Sequence, residues 1–200
     1  MRRIKIKLKD FSRQNVDAVV DEIKKGGVIV APSDTIYGFS CDATDDHAVK
    51  KLYSIKKMSR EKTSLVLMKS FCMIRKYCFL SQKQYEYIKK TLEKSRPITV
   101  ILRSRGNLGE HFTSPSLGIA VRIPKKSEFL MKVLKRADTP LASTSLNVTG
   151  SEPIDEVSDL AGFFKKNPPD LVVDAGKISR IKSSKIVDIR NMDDIKVLRG

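Results

Sequence analysis

The chain has 200 residues, of which 39 are lysine or arginine and 23 are aspartate or glutamate, so its formal net charge is +16. That length suits one domain with a substantial core, and a hydrophobic content of 40% is ordinary for a globular protein. No stretch approaches the ~20 apolar residues of a membrane span and no signal peptide precedes the first predicted strand, so a membrane protein is not expected.

The first two predicted elements are a strand and a helix. Ile4, Ile6 and Leu8 alternate with lysines, which predicts a half-buried strand whose lysines face water. Apolar side chains at helical spacing over residues 16–23 predict a helix that Gly26-Gly27 ends. The helix therefore leads directly into the stretch around which the chain is organised.

That stretch is residues 26–43, GGVIVAPSDTIYGFSCDA. The continuous apolar run Val28–Ala31 is typical of a strand buried on both faces, and Pro32 ends its hydrogen-bonding ladder. The next residues, S-D-T-I-Y, crowd polar groups into a tight segment that Gly38 closes. Hydroxyls and a carboxylate just past a buried strand are where open α/β sheets place ligands, although a turn with capping side chains would have the same composition.

The remaining chain continues to alternate between helices and strands. Helices are predicted over residues 45–56, 71–78, 81–92, 129–134 and 156–166. Strands are predicted over residues 64–68, 98–102, 117–123, 141–143, 171–173, 186–189 and 197–198. Ser81 and Gln84 form a capping box for the helix that starts beside them. The alternation indicates an α/β fold, the hairpin-like end of the chain indicates a mixed sheet, and the lack of any repeat or composition break indicates one domain over residues 1–200.

Standard nucleotide, metal and hydrolase motifs do not occur in the sequence. There is no G-x-x-x-x-G-K-[ST] loop and no G-x-G-x-x-G after a strand. His47 and His111 have no cysteine or carboxylate spacing suited to zinc, and no G-x-S-x-G turn supports a serine hydrolase. The three cysteines lack C-x-x-C spacing, which favours reduced thiols in a cytoplasm. The positive charge favours a phosphate-rich partner such as a nucleotide or tRNA, although it could also reflect a generally basic proteome.

Three further polar or basic stretches are candidates for chemistry. Residues 56–62, KKMSREK, could clamp a triphosphate or could be a solvated helix end. Residues 143–147, STSLN, offer three hydroxyls and an amide after a strand, as a ligand site or a helix cap would. Residues 196–200, KVLRG, place an arginine at the end of the last strand, where a solvated chain end is the alternative. The residue types alone leave both interpretations open for each stretch.

Several short motifs follow one another in a fixed order. Residues 32–39 read P-S-D-T-I-Y-G-F. After them come Lys56, Pro97-x-Thr99, Val121-Arg122-x-Pro124, Ser145-x-Asn147, Ser184-x-x-Val187-Asp188 and Val197-Leu198-Arg199. The first motif resembles the P-T-D-T-V-Y-G-L signature of the YrdC-like threonylcarbamoyl-adenylate synthase family, and the others resemble its later motifs in the same order. The resemblance extends over about residues 26–200, and the ordered co-occurrence is more specific than any single motif.

This resemblance implies both a fold and a reaction. The fold is a twisted, mixed open sheet with flanking helices and a large, basic, concave cavity. The reaction condenses L-threonine, bicarbonate and ATP to threonylcarbamoyl-AMP and pyrophosphate, with Mg²⁺ carried on the ATP phosphates and no metal ligand from the protein. A downstream threonylcarbamoyl transferase complex then passes the group to an adenosine beside the tRNA anticodon.

The resemblance also assigns residues to the site. Thr35 and Lys56 hold the threonine and its carboxylate. Arg60 does not match a family position and is expected to act as a second catalytic cation in place of the family arginine. The substrate- and nucleotide-binding residues are Thr35, Thr99, Arg122, Ser143, Ser145, Asn147, Ser184 and Arg199. Cations and hydroxyls suit this chemistry, because it needs aligned reactants and neutralised phosphate charge rather than a covalent nucleophile.

One departure from the family pattern bears on function. Met58 occupies the second basic position of the family's K-x-R element, as in its YciO-like branch, and Arg60 is the nearest replacement. An alternative is therefore a double-stranded RNA- or tRNA-binding protein that keeps the basic surface and lacks synthase activity. A carbamoyl-transfer domain like that of hydrogenase maturation proteins is less favoured, because 200 residues leave no room for its additional domains.

Overall fold

The central feature of the computed structural model is one mixed β-sheet. The structure describes residues 1–58, 64–94, 96–112, 118–147, 154–158, 160, 164, 167–178 and 183–200. The strands within these residues are β1 (Arg2–Lys5), β2 (Ile29–Pro32), β3 (Tyr37–Asp42), β4 (Leu65–Leu67), β5 (Ile98–Arg103), β6 (Gly118–Arg122), β7 (Leu141–Ser145), β8 (Leu171–Asp174), β9 (Lys185–Asp188) and β10 (Lys196–Arg199). Their order across the sheet is β1-β8-β2-β3-β7-β4-β6-β5-β9-β10. The sheet contains parallel and antiparallel neighbours, and β9 and β10 form the predicted antiparallel hairpin.

Helices cover both faces of this sheet. They are α1 (Arg13–Lys24), α2 (Asp46–Lys56), α3 (Phe71–Tyr77), α4 (Gln82–Leu92) and α5 (Glu128–Ala137). The helices α1 and α5 share a core with Ile29 and Ala31, whereas α2, α3 and α4 share one with Val28 and Val30. Because successive residues of a strand point to opposite faces, β2 is buried on both, as predicted. In the described part of the chain no helix is long and apolar enough to cross a membrane.

The ends of α1 follow from its sequence. Ser12 caps the first turn and forms a reciprocal capping box with Asn15, while Gly26 adopts a positive φ of 76° just after the last turn. The four residues predicted to face inward, from Val16 to Ile23, are buried. The predicted capping box of Ser81 and Gln84 at the start of α4 is confirmed as well. Local signals therefore define these helices.

Among the described residues, no helix covers part of the sheet face that α1 and α5 occupy. Ile119 and Val121 of β6 belong to the core formed with α2, α3 and α4. Ala120 and Arg122 of the same strand consequently point to the opposite face, where both line a cavity. The cavity thus lies on the α1 and α5 side of the sheet, over strands that those two helices do not cover.

The expectation of a polar turn closed by Gly38 is wrong in part. Only residues 33–36 form the turn, and Tyr37–Asp42 continue as the central strand β3, with five of its six residues buried. A Cβ on Gly38 would lie 3.0 Å from the carbonyl oxygen of Thr144 on β7. Glycine is therefore needed because two strands approach closely. The glycine, serine and aspartate of this strand are residue types that disfavour strands, which hid it from a pattern-based prediction.

Two other boundaries also differ from the prediction. Strand β1 ends at Lys5, and Leu8 is 40% exposed instead of facing inward, because the chain turns where the Asp10 N–H donates to the Lys7 carbonyl. Strand β7 continues through Thr144 and Ser145, so those hydroxyls belong to a strand rather than to a loop. Most of the helix predicted over residues 156–166, and Gly150, lie outside the described residues.

Leu134→Ala is expected to lower the free energy of unfolding by about 2–5 kcal/mol, because Leu134 is fully buried between α5 and α1 and its loss leaves a cavity. Leu8→Ala is the matched control and should change stability by less than about 0.5 kcal/mol, since Leu8 is exposed. Urea denaturation of both variants measures the difference. Equal destabilisation would contradict the placement of Leu8 outside the core.

Candidate active site

A concave cavity of about 490 Å³ opens on the uncovered part of the sheet. The β2–β3 turn, strands β4 to β7, and strands β9 and β10 contribute its walls. Among the lining residues are all eight that the sequence predicted to bind substrate or nucleotide: Thr35, Thr99, Arg122, Ser143, Ser145, Asn147, Ser184 and Arg199. The cavity lies between the segment after Ala31 and the run that begins at Ser143, and Lys56 is not among the residues that line it. Predicted residue Arg60 lies outside the described residues.

The β2–β3 turn is held by a single hydroxyl. Ser33 Oγ accepts hydrogen bonds from the N–H groups of Thr35 and Ile36, at 3.1 and 3.2 Å, and donates to the Ile36 carbonyl at 2.6 Å. The Thr35 hydroxyl lies 3.0 Å from Ser33 Oγ and the residue is 5% exposed. The serine therefore fixes the backbone that aims Thr35 at the cavity, a task that the family's threonine hydroxyl at this position could also perform.

Asp34 in the same turn forms a buried ion pair with Arg122. Its Oδ1 lies 3.1 Å from Arg122 Nη2, and the two side chains are only 3% and 5% exposed. Burial raises the pKa of Asp34 and lowers that of Arg122, while the attraction between the two opposes both shifts. The exposed Lys126 adds a further weak attraction that lowers the Asp34 pKa. Breaking such a pair usually costs several kcal/mol, because one buried charge is left uncompensated.

Three buried polar atoms in or beside the cavity lack a hydrogen bond among the described residues. They are Asp34 Oδ1, Arg122 Nε and Ser64 Oγ. Each such group costs about 1–3 kcal/mol relative to a satisfied one, so their concentration at one place makes this part of the fold a candidate ligand site. The sequence indicated a carboxylate at Asp34 in the polar segment after β2 but assigned it no role, and it did not single out Ser64, because only the folded chain brings these residues to Arg122 and to the cavity wall.

Lys56, at the end of α2, holds one wall of the cavity together. The Nζ atom donates to the carbonyl oxygens of Ser145 and Asn147, at 3.0 and 2.6 Å, and to Asn147 Oδ1 at 2.6 Å. Ser145 Oγ donates to the same amide oxygen at 2.8 Å. Burial lowers the pKa of Lys56 to about 8, although its charge-assisted hydrogen bonds oppose that shift. The predicted lysine thus contacts the predicted S-x-N element directly.

The lowered pKa of Lys56 predicts a pH-dependent stability. Between about pH 8 and the ordinary lysine value of 10.5 the unfolded chain binds more protons than the folded one, so Lys56 contributes stability that rises with pH. Lys56→Met removes this contribution and leaves the other titrating groups in place. The stability of wild type relative to Lys56→Met, from urea denaturation at pH 7 to 9, should therefore increase with pH. Parallel curves for the two proteins would contradict the shift.

The opposite end of the cavity is built from β5, β9 and β10. Thr99 Oγ1 and Ser184 Oγ lie 2.9 Å apart, and both residues are almost fully buried. Arg199 donates to the Ser184 carbonyl at 3.0 Å and to Ser184 Oγ at 3.2 Å, while Arg96 donates to the Ser183 carbonyl. The repulsion between Arg199 and Arg122 lowers the Arg122 pKa, so both positive charges act at this end. The arrangement suits an anion.

Hydroxyl groups also lie between the two ends of the cavity. Ser143 Oγ on β7 donates to the Phe39 carbonyl at 3.1 Å and accepts from Ser40 Oγ at 3.2 Å, both on β3. The described residues contain no group of three or more His, Cys, Asp or Glu side chains that could hold a metal ion. The cavity therefore offers fixed cations and hydroxyls, which favour phosphate and carboxylate groups.

The sheet and its cavity define a YrdC-like α/β domain. The profile of the Sua5, YciO and YrdC proteins, described as "Telomere recombination", matches residues 21–200. Since this match covers most of the sequence, the chain belongs to the Sua5/YciO/YrdC family. A Methanocaldococcus jannaschii protein named "Putative threonylcarbamoyl-AMP synthase" is 28% identical over 199 residues, covering 98% of this chain and 92% of that protein.

Solved structures share the fold at lower sequence identity. A double variant of P. abyssi Sua5 superposes with a TM-score of 0.88 at 20% identity, covering 99% of this chain and 60% of that one. E. coli YciO superposes with 0.87 at 21% identity, covering 100% and 96%. P. abyssi Sua5 complexed with L-threonine gives 0.86 at 19%, covering 99% and 56%. The chain therefore spans somewhat more than half of the Sua5 chains and nearly all of YciO.

Proposed function

We propose that this protein is a threonylcarbamoyl-AMP synthase that condenses L-threonine, bicarbonate and ATP and releases pyrophosphate. The main support is that eight residues scattered between Thr35 and Arg199 line one cavity. The motif resemblance assigns these same residues to the site from the sequence alone. The M. jannaschii relative, whose similarity extends over nearly the whole chain, carries this activity in its name.

The proposed reaction has two bond-forming steps. The threonine amine first takes up the carbon of bicarbonate as a carbamate, with loss of water. A carboxylate oxygen of the carbamate then attacks the α-phosphorus of ATP, the bond from that phosphorus to the bridging oxygen breaks, and pyrophosphate leaves. Because the reactants supply the nucleophile, the protein has to align them and stabilise negative charge.

One end of the cavity suits the amino acid and its carbamate. Thr35 offers a hydroxyl from a turn that Ser33 fixes. The Lys56 ammonium holds the Ser145–Asn147 segment in place and provides positive charge behind that wall. In this proposal Thr35 contacts the threonine carboxylate and the carbamate, Lys56 stabilises their negative charge from behind the wall, and Ser145 and Asn147 form the surface between the carbamate and the nucleotide.

The other end suits the ATP phosphates. Arg122 and Arg199 supply two guanidinium groups, and the Thr99–Ser184 pair supplies hydroxyls beside them. Mg²⁺ on the ATP phosphates would reduce their charge, as it does in other phosphoryl-transfer reactions. The described lining offers hydroxyls and cations rather than carboxylates, which fits a metal ion that arrives with ATP and keeps water as its remaining ligands.

The deciding experiment measures pyrophosphate release from ATP and Mg²⁺ with and without L-threonine and bicarbonate. Release that depends on both co-substrates supports the proposal, and D-threonine is the matched control. A background rate under all conditions would refute it and favour the double-stranded RNA- or tRNA-binding alternative.

We propose that the product is passed to a transferase that modifies tRNA, because the mixed anhydride hydrolyses readily if it is not used.

A further inference from the structure

We propose that Asp34 acts as an internal counter-anion that competes with a bound polyphosphate for Arg122 and thereby promotes release of pyrophosphate. This inference rests on the proposed function for the identity of the ligand. The geometry that supports it is the Asp34–Arg122 ion pair, which joins the β2–β3 turn to strand β6 beside the cavity that Thr35 and Arg122 line. Asp34 belongs to none of the residues that the motif resemblance assigned to substrate or nucleotide.

The pair connects distant parts of the sheet. Three strands, β3, β7 and β4, lie between β2 and β6 in the strand order, a separation of about 19 Å along a flat sheet. The side chains nevertheless meet at 3.1 Å. The turn therefore extends over the three intervening strands to Arg122, and Ser33 keeps it in that position.

Arg122 is only partly satisfied by this contact. Asp34 faces Nη2, whereas Nε is buried and has no hydrogen bond among the described residues. A guanidinium presents its donors in a fixed fork, so a second anion can approach the unused side. A phosphate oxygen at Nε would thus lie within a few ångströms of the Asp34 carboxylate. The two anions attract the same cation and repel each other.

This arrangement determines whether replacing Asp34 strengthens or weakens the binding of an anion to Arg122. In Asp34→Asn the empty protein carries an unpaired buried guanidinium, which destabilises it. A bound anion then supplies the missing partner and no longer meets the carboxylate, so its affinity should increase. At a separation of about 6 Å in a partly buried site, removing one such repulsion corresponds to an affinity gain of about tenfold to hundredfold. If Asp34 only supported the fold, the gain would not occur.

The test measures affinity for inorganic pyrophosphate by calorimetry, and thermal unfolding with and without pyrophosphate. Asp34→Asn is expected to unfold at a lower temperature when empty, to bind pyrophosphate about tenfold to hundredfold more tightly than wild type, and to regain more stability from it. Asp193→Asn, a matched substitution at a side chain that is 89% exposed, should leave both quantities unchanged.

A double-mutant comparison assigns the effect to Arg122. Arg122→Met should weaken pyrophosphate binding, and adding Asp34→Asn to it should produce no further tightening. The double variant should also unfold no lower than Asp34→Asn alone, because neither buried charge remains. Unchanged or weaker binding in Asp34→Asn, or tightening that persists without Arg122, would overturn the inference.

Three further outcomes are informative, and the last two separate this inference from the proposed function. If Asp34→Asn and Asp34→Ala fold neither alone nor with pyrophosphate, the pair serves the fold and the inference is overturned. If wild type shows no threonine-dependent release of pyrophosphate but the affinity pattern holds, the inference stands and the synthase proposal fails. If threonine-dependent release occurs and Asp34→Asn binds pyrophosphate like wild type, the synthase proposal stands and the inference about Asp34 fails.

Discussion

Lys56→Met is expected to lower kcat/KM for threonine-dependent pyrophosphate release by about 30-fold to 900-fold. This range corresponds to about 2–4 kcal/mol, the effect of removing one preorganised donor from an active site. Lys56 is 5% exposed and donates to three oxygens of Ser145 and Asn147. Its removal takes away a positive charge and also releases the wall to which it is bonded. Steady-state kinetics with threonine and ATP varied in turn measure the loss.

Lys50→Met is the control for this prediction. Lys50 lies on the same helix α2, but its side chain is exposed, so the substitution should leave kcat/KM within about twofold of wild type. Wild-type turnover in Lys56→Met would show that Lys56 is only the last residue of α2 and takes no part in the reaction. A loss of folding would appear as a change in circular dichroism, and Lys56→Gln, which retains a donor, would then replace methionine in the comparison.

Arg60→Ala is expected to abolish threonine-dependent pyrophosphate release while leaving RNA affinity almost unchanged. The family's K-x-R element has Met58 in its second basic position, so Arg60 is the nearest source of a second positive charge for the carboxylate and phosphates. A single cation contributes only about one unit to the salt slope of nucleic-acid binding. The measurements are pyrophosphate release and binding of a tRNA transcript at several salt concentrations.

Lys83→Ala is the control here, because its side chain on α4 is 77% exposed and should affect neither quantity. Full turnover in Arg60→Ala would show that Arg60 does not replace the missing cation. Wild type that releases no pyrophosphate above background, but binds tRNA in a strongly salt-dependent way without competition from ATP, would establish the RNA-binding alternative. The two measurements on the same proteins thus separate the enzyme from the binding module.

The helices were largely predictable from sequence because their signals are local. The apolar spacing of α1 and its Ser12 cap lie within one continuous segment, as do Ser81 and Gln84 at the start of α4. Strand β3 was not predictable in this way, because it is stabilised by β2 and β7 on either side rather than by its own residue types. Leu8 was misplaced for a related reason, since an alternating pattern does not show where pairing with β8 stops.

The family motifs, their order and the residue types that suit a phosphate-rich ligand can be read from the amino-acid sequence. Which of these residues meet depends on the folded arrangement of the strands and helices. Lys56 and Ser145 are 89 positions apart in the chain and are brought into contact by the packing of α2 against the sheet. Asp34 contacts Arg122 because the turn between β2 and β3 extends over the strands that separate β2 from β6. Contacts of this kind depend on strand order and on burial, which a one-dimensional pattern does not encode, and burial is also what shifts the pKa of Lys56.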